Sequence, residues 1–511
     1  MATALQAQEG FGTYLRNVIQ KQEKGILVTA KLIEACGLCD SLDLLMDYEY
    51  ERRYQQGVIP TNIRCDDIVS SYLFYAPRHR RYGYTLFAET DDFWENVLGK
   101  SYKAVTAADV AAYIRQHCQF AKDYISNGDY SNPENDLYQF VTYHLLNRRL
   151  SADRLVNHVN ELEYQRNSFK LGVPVCEYYT TMGDRRLLRV YESKESQGIY
   201  LNRFPVLDNR RQGTYHELSC DPDKAGILIN WPSDYNIDYV TIGGIIYPIG
   251  QLLAFDKATA QNMGSIRLRL DVASFFPEMA NNDIRLSQSA EESRANVYLP
   301  CDIYSYLDDL TVNNNNTLFC YWTGYGRGWA NMQGDEFACF GLQDITLRLP
   351  PVPKSGTYEL RLATQSGNAN RTTIQTYFGT DGDNMSLLGM PVDERQGPIY
   401  LRTKSTNIPI YIGYESDTGD DCYDQMRDNE FYENGYMKSC KQYCAGSTTS
   451  MREDQTALRR VLGRVRMEAD QTYFLRFKSV LDNPNTQLYL DFIEFCPECV
   501  YDNPNEPEDI W

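Results

Sequence analysis

From Leu5 to Asp47 apolar side chains recur three and four residues apart, at Phe11, Leu15, Val18 and Ile19 and then at Ile26, Ala30, Ile33, Leu42 and Leu45. That spacing lines one face of a 3.6-residue repeat and predicts two amphipathic helices. Tyr84 to Ala88 is a short β-prone run, and Thr90 or Asp91 after it is placed to cap a helix through Phe93, Trp94 and Val97. Thr106 to Asp109 opens a further helix, expected to reach Tyr124, and another is expected from Asp136 to Leu150. From about Val173 the texture changes to short strands punctuated by Gly, Pro, Asn and Asp, such as Ile227 to Ile229, Tyr239 to Ile242 and Ile245 to Tyr247.

Beyond Leu286 helical periodicity fades. Ile345 to Leu349, Tyr358 to Leu362, Ile374 to Phe378, Ile408 to Ile412, Tyr473 to Phe477 and Leu488 to Phe492 alternate or nearly alternate, the pattern of an antiparallel β-sandwich. The predicted fold class is therefore α+β, with a helix-rich unit over 1–286, a sandwich over 298–500 and an acidic, Pro-containing tail over 501–511. The segment Glu415 to Thr449, rich in Asp, Gly, Asn and Ser, reads as a long insertion on the sandwich.

Charge narrows the partners. With 50 Lys and Arg against 69 Asp and Glu the net charge is −19, the wrong sign for gripping a phosphate backbone, so no nucleic acid is expected. Tyrosine is abundant, 40 residues against 20 Phe and 5 Trp, which favours β packing or binding faces over a purely aliphatic core. No run approaches the roughly 18 apolar residues of a membrane-spanning helix. The start, Met1 to Gly10, lacks the basic and then apolar pattern of a secretory signal.

The 14 cysteines include two CxxC pairs, Cys36/Cys39 and Cys496/Cys499, whose four thiolates have the ligand count of a zinc site. The first pair continues an apolar helical run, so buried thiols or local disulfides are expected instead, and no metal site is assigned. Asp381, Asp383 and Asn384 offer hard oxygens to a structural Ca²⁺, but Asp-Gly is equally a plain turn, and no other cofactor is expected. No GxSxG, GxxxxGK[ST] or GxGxxG-after-strand motif occurs, and nothing nominates a pair of convergent carboxylates; no catalytic residue is assigned and the chain is read as a non-enzyme.

Three stretches of the first half, taken together, resemble a fasciclin domain. Tyr84-Thr85-Leu86-Phe87-Ala88 through Phe93 is similar to that family's TLFA strand-to-helix signature, with Thr85 and Phe87 at the matching positions. Leu137 through Leu146 is similar to its helix-to-strand motif, with Tyr143-His144 as the matching pair. Ile242 through Ile249 occupies the place of its third motif but carries Tyr247 where the family has His. Asp283-Ile284-Arg285, the Tyr489 to Glu494 strand and the closing Tyr501 to Trp511 extend the likeness to fasciclin-domain surface lipoproteins of Bacteroidota.

What the resemblance implies is a non-catalytic accessory lipoprotein on the outer face of the outer membrane, beside a SusC-like TonB-dependent transporter and its SusD-like lipoprotein, assisting glycan capture. It implies a lipid anchor on a cysteine upstream of residue 1. A structural or adhesive subunit with no small ligand is the alternative. Physically, a His at the end of an apolar helix is a buried, hydrogen-bonded residue; the resemblance makes His144 a partner contact as well. A glycan site is expected at Trp322, Tyr325, Arg327 and Trp329, where rings and a cation cluster among glycines, with Asp335 as a polar partner. The same tryptophans also fit a role as core plugs.

Overall fold

The computed structural model describes residues 10–64, 73–156, 175–193, 195–207, 217–230, 240–285, 296–301, 305–323, 331–367, 369–395, 432–433, 435–440, 451–453 and 456–503. The fold is mixed α and β, about 24% helix and 36% strand among the described residues, so paired strands carry most of the architecture described.

The first region folds as three helices, not two: Phe11–Lys21, Leu27–Ala35 and Cys39–Leu42. Helix Phe11–Lys21 buries a stripe at Phe11 and Leu15 and stops where Gln22 turns left-handed at φ 53°. Leu27–Ala35 is apolar nearly all round and is accordingly buried from Leu27 to Ala30 and at Leu32 and Ile33. The run through Cys36 and Cys39 does not continue this helix, because Gly37 sits at φ 69°, a conformation open to glycine at little cost. Thr90 caps Asp91–Leu98 as expected, its hydroxyl accepting from the Phe93 amide. The two later helices are shorter than predicted, Ala107–His117 and Asp136–Tyr143. The second gives way at Leu145–Leu146 to a strand, since those two leucines fill opposite sides of a sheet.

That sheet is the centre of the first half. Tyr84–Glu89 lies parallel to Gly244–Ile249 on one side and antiparallel to Leu145–Leu146 on the other. Covered on both faces, it reads as an uninterrupted buried run, as central strands do. Its side chains part by the two-residue period: Tyr84, Leu86 and Ala88 pack with Trp94, Ile114 and Phe140, while Phe87 faces Tyr143, Tyr179 and Tyr247. Gly244 must be glycine here, because a Cβ would come within 2.6 Å of the Phe11 ring.

Beyond it lie a four-stranded sheet built from Ile227–Leu228, Gly198–Leu201, Leu187–Ser193 and Val175–Thr180, and three larger sheets. A six-stranded sheet orders Asn62–Arg64, Leu73–Tyr75, Asn296–Tyr298, Thr317–Thr323, Asp335–Gly341 and Gln487–Leu490. A five-stranded sheet orders Leu268–Asp271, Phe492–Pro497, Gly356–Gln365, Ala457–Met467 and Tyr436–Lys438. The other orders Leu310–Val312, Asp344–Arg348, Phe474–Ser479, Thr373–Gly379 and Ser386–Asp393. All three feed one core, with Phe337, Phe340, Leu347, Leu360, Phe477 and Phe495 among its members.

The change of texture at 286–298 separates kinds of element, not sheets. Leu268–Asp271 pairs with Phe492–Pro497, and Leu73–Tyr75 runs parallel to Asn296–Tyr298. Tyr50, Phe74 and Tyr178 from the first half enter the same core as Phe319 and Phe495. The expected strand at Ile408 to Ile412, the Glu415 to Thr449 insertion apart from a few residues, and the tail from 504 lie outside the described residues. No described helix is long and apolar enough to cross a membrane.

Candidate functional site

The residues with sequence signatures meet in the first-half sheet and are used to hold it. The Thr85 hydroxyl donates to the Arg148 carbonyl at 2.7 Å and accepts from the Leu150 amide at 3.0 Å, clamping the chain just after the Leu145–Leu146 strand. Phe87 stacks on Tyr247, ring centroids 5.9 Å apart. The Tyr143 hydroxyl donates to the Leu187 carbonyl at 3.1 Å and accepts from Asn202 Nδ2 at 2.9 Å. His144 is buried with both ring nitrogens engaged: Nδ1 lies 2.7 Å from the Phe140 carbonyl and Nε2 2.8 Å from Glu89 Oε1, which also accepts from the Leu253 amide. Tyr247, at the place of the missing His, donates its hydroxyl to the Leu150 carbonyl. Asp91 adds a second tie, its buried carboxylate accepting from the amides of Gly25, Leu27 and Val28 at the start of a neighbouring helix. Burial outweighs those donors and raises its pKa.

The aromatic stretch divides. Trp322 is 2% exposed, stacked on Tyr489 and edge-on to Phe74 and Phe340. Its ring belongs to the core and offers no face to a glycan. Tyr325, Arg327 and Trp329 lie outside the described residues. Asp335, the expected polar partner, is buried instead in an ion cluster: it accepts from the Tyr321 hydroxyl at 2.8 Å and from Arg285 Nε at 3.1 Å. Arg285 also donates to Asp271 at 2.6 Å and to Gln333. Burial opposes the Arg285 charge, but Asp271, Asp335 and Glu177 around it hold its pKa well above the ordinary value.

Asp381 accepts from the Asp383 amide within its own turn, and among the described residues no three His, Cys, Asp or Glu side chains stand together as metal ligands. Cys36 and Cys39 are buried free thiols, Cys499 is an exposed one, and Cys496 is buried. Burial pushes Cys36 and Cys39 up to about 12.

Sequence reasoning missed a cavity. Beside the Arg285 cluster lies a space of about 200 Å³ lined by Arg285 itself, by Arg148, Tyr179, Ser274 and Phe276, and by Arg149, Ser151, Arg154 and Asp283. Arg148 is 2% exposed, its guanidinium 5.1 Å over the Tyr179 ring with Nη1 donating to the Ser274 carbonyl at 2.6 Å. Burial lowers its pKa. Arg149 is fixed by its amide, which donates to Asn281 Oδ1. Arg148-Arg149 lies one residue beyond the segment likened to the fasciclin motif, so the local signal was in view; the approach of Arg285 from far along the chain was not.

No family model and no curated protein matches the chain. Solved structures that align with parts of it include the insecticidal crystal protein Cry2Aa, at 12% identity and a TM-score of 0.20, covering 37% of this chain and 20% of that one. A Cry1Da tryptic core variant of Bacillus thuringiensis aligns at 12% identity and a TM-score of 0.17, covering 40% and 23%. An exo-beta-1,3-galactanase from Phanerochaete chrysosporium, solved with galactose, aligns at 10% identity and a TM-score of 0.16, covering 63% and 68%. The chain thus spans about a fifth to a quarter of the two crystal proteins. Scores this low carry no argument about fold or activity.

Proposed function

We propose that the chain is a non-catalytic accessory lipoprotein of the outer-membrane surface, working beside a SusC-like TonB-dependent transporter and its SusD-like lipoprotein, with a fasciclin-like first half and an antiparallel β-sandwich of jelly-roll or galactose-binding-like kind after it. The observation that carries the reading is the convergence of the three motif-like stretches, far apart in sequence, on adjacent strands of one sheet. Random likenesses would have no reason to be neighbours. A non-catalytic role is supported by how the chemistry-bearing groups are engaged, His144 with Glu89 and Arg285 with Asp271 and Asp335, each spending its hydrogen bonds inside the fold. With Trp322 in the core, any glycan contact at the aromatic stretch rests on Tyr325, Arg327 and Trp329. The test is affinity purification of the native chain from detergent-solubilised outer membranes together with protease shaving of intact cells. Recovery of a TonB-dependent transporter and cleavage at the surface support the reading; a chain that resists shaving and copurifies with no transporter refutes it.

The second reading, a structural or adhesive subunit, draws on Ser386–Asp393, the last strand in its sheet's order among the described residues. Leu387 and Met390 on it are exposed, Met390 at 83%. Apolar side chains on an outer strand are a usual mark of protein contact.

A further inference from the structure

We propose that the cavity over Arg148 binds the oxyanion group of a small acidic solute, a carboxylate or sulfate held by the guanidinium groups of Arg148 and Arg149. The argument begins with an imbalance. Arg285, which also lines the cavity, is neutralised by Asp271 and Asp335, so it serves as wall. Arg148, buried more deeply still, has no carboxylate within ion-pair distance among the described residues; it donates to a carbonyl and lies over the face of Tyr179. A cation taken out of water without a counter-charge is costly, and an arriving anion offsets that cost.

The Arg148 and Arg149 side chains are also incompletely satisfied. Nε of Arg148 and Nε of Arg149 are both buried, and neither finds a hydrogen-bond acceptor among the described residues. Both residues line the cavity. Guanidinium forks match the paired oxygens of carboxylate and sulfate. Size sets the class of ligand: about 200 Å³ is below the roughly 300–1,000 Å³ of pockets that enclose a whole drug-sized molecule, so one charged end group enters and the rest stays outside. Asp283 is the single carboxylate in the lining; it is exposed, where water and salt screen its repulsion.

The inference stands apart from the surface-lipoprotein reading, since the cavity would bind its anion in any compartment. It is tested on the full chain by calorimetric titration with sodium glucuronate, sodium sulfate and glucose at matched ionic strength in chloride. Glucuronate or sulfate is expected to bind and glucose not to bind. Arg149→Gln should weaken anion binding by about tenfold or more, and Arg148→Met should abolish it with an unchanged circular dichroism spectrum. Glucuronate favoured tenfold over sulfate marks a sugar acid as the ligand, and the reverse or parity marks an inorganic oxyanion; both support the site. Failure of both anions to bind overturns the proposal, as does R149Q binding like the wild type. R149Q decides alone if R148M does not fold.

Discussion

Glu278 holds a carboxylate in a place that favours its proton, and this makes the stability of the protein depend on pH in a direction that can be worked out. The side chain is 4% exposed. Oε1 accepts from Arg80 Nη2 at 3.0 Å and from the Asp308 amide at 3.3 Å, while Oε2 is buried and has no hydrogen-bond partner among the described residues. Burial and the nearby Asp308 charge push its pKa up to about 7, against the pull of Arg80. The unfolded value is near 4.5. A carboxyl with a raised folded pKa binds its proton more tightly folded than unfolded, so its contribution is fully present below about pH 4.5 and is lost as pH rises through 7. At about 1.4 kcal/mol per pH unit the loss is on the order of 3 kcal/mol by pH 8.

Glu278→Gln removes the titration and keeps the shape, leaving the Oε1 contacts to Arg80 and Asp308 in place. For 511 residues unfolding as one unit, an entropy of about 2.1 cal/mol/K per residue makes 3 kcal/mol worth about 3 °C. The expected result, read by scanning calorimetry, is that E278Q stays within about 1 °C of the wild type at pH 5 and melts about 3 °C above it at pH 8. Other buried carboxylates with raised pKa values, Asp91, Asp271, Asp335 and Asp491, titrate in both proteins and cancel in the difference. Melting temperatures that run parallel from pH 5 to 8, or a variant that falls behind as pH rises, would refute the reasoning.

Three further substitutions probe the same fold. Trp322→Ala empties a large buried site and should cost about 3–5 kcal/mol in urea denaturation, whereas an unchanged midpoint would mean the ring is not in the core. His144→Ala leaves Glu89 buried without its ring partner and should cost on the order of 3 kcal/mol, with the soluble yield of the purified variant as a second readout. Thr85→Val removes the hydroxyl that bridges Arg148 and Leu150; a loss of about 1–3 kcal/mol, read as a lowered denaturation midpoint, is expected, and it should be accompanied by weaker anion binding because the Arg148 backbone loses its clamp.

The sequence made legible what short-range periodicity and local chemistry decide. The buried run Tyr84 to Ala88, the Thr90 cap and the strands near Ile345, Tyr358, Ile374 and Tyr473 all follow from spacings within a single element. Helix ends were less legible, since Gly37 breaks one apolar run and the pull of a sheet on Leu145 and Leu146 ends another, and neither effect shows in a helical count. Sheet membership was not legible at all across the apparent boundary: Leu268–Asp271 looks like a local fragment until Phe492–Pro497 arrives beside it.

The candidate site divides along the same line, and the reason is electrostatic as well as geometric. A tryptophan among glycines reads the same whether its ring faces water or a core, and only the stacking of Tyr489 on Trp322, from a strand far along the chain, decides the matter. Charged residues are more misleading still, because their meaning depends on whether a counter-charge reaches them. Arg148 and Arg285 are both buried arginines beside the same cavity. Arg285 meets Asp271 and Asp335 and becomes structure; Arg148 meets a carbonyl and an aromatic face and keeps its charge available. A reading by residue type treats the two alike. Since a buried charge with no ion-pair partner, which is the state of Arg148 among the described residues, is a standing cost to the fold, its retention beside a cavity is better explained by a ligand than by packing, which a methionine of similar length would serve with less penalty.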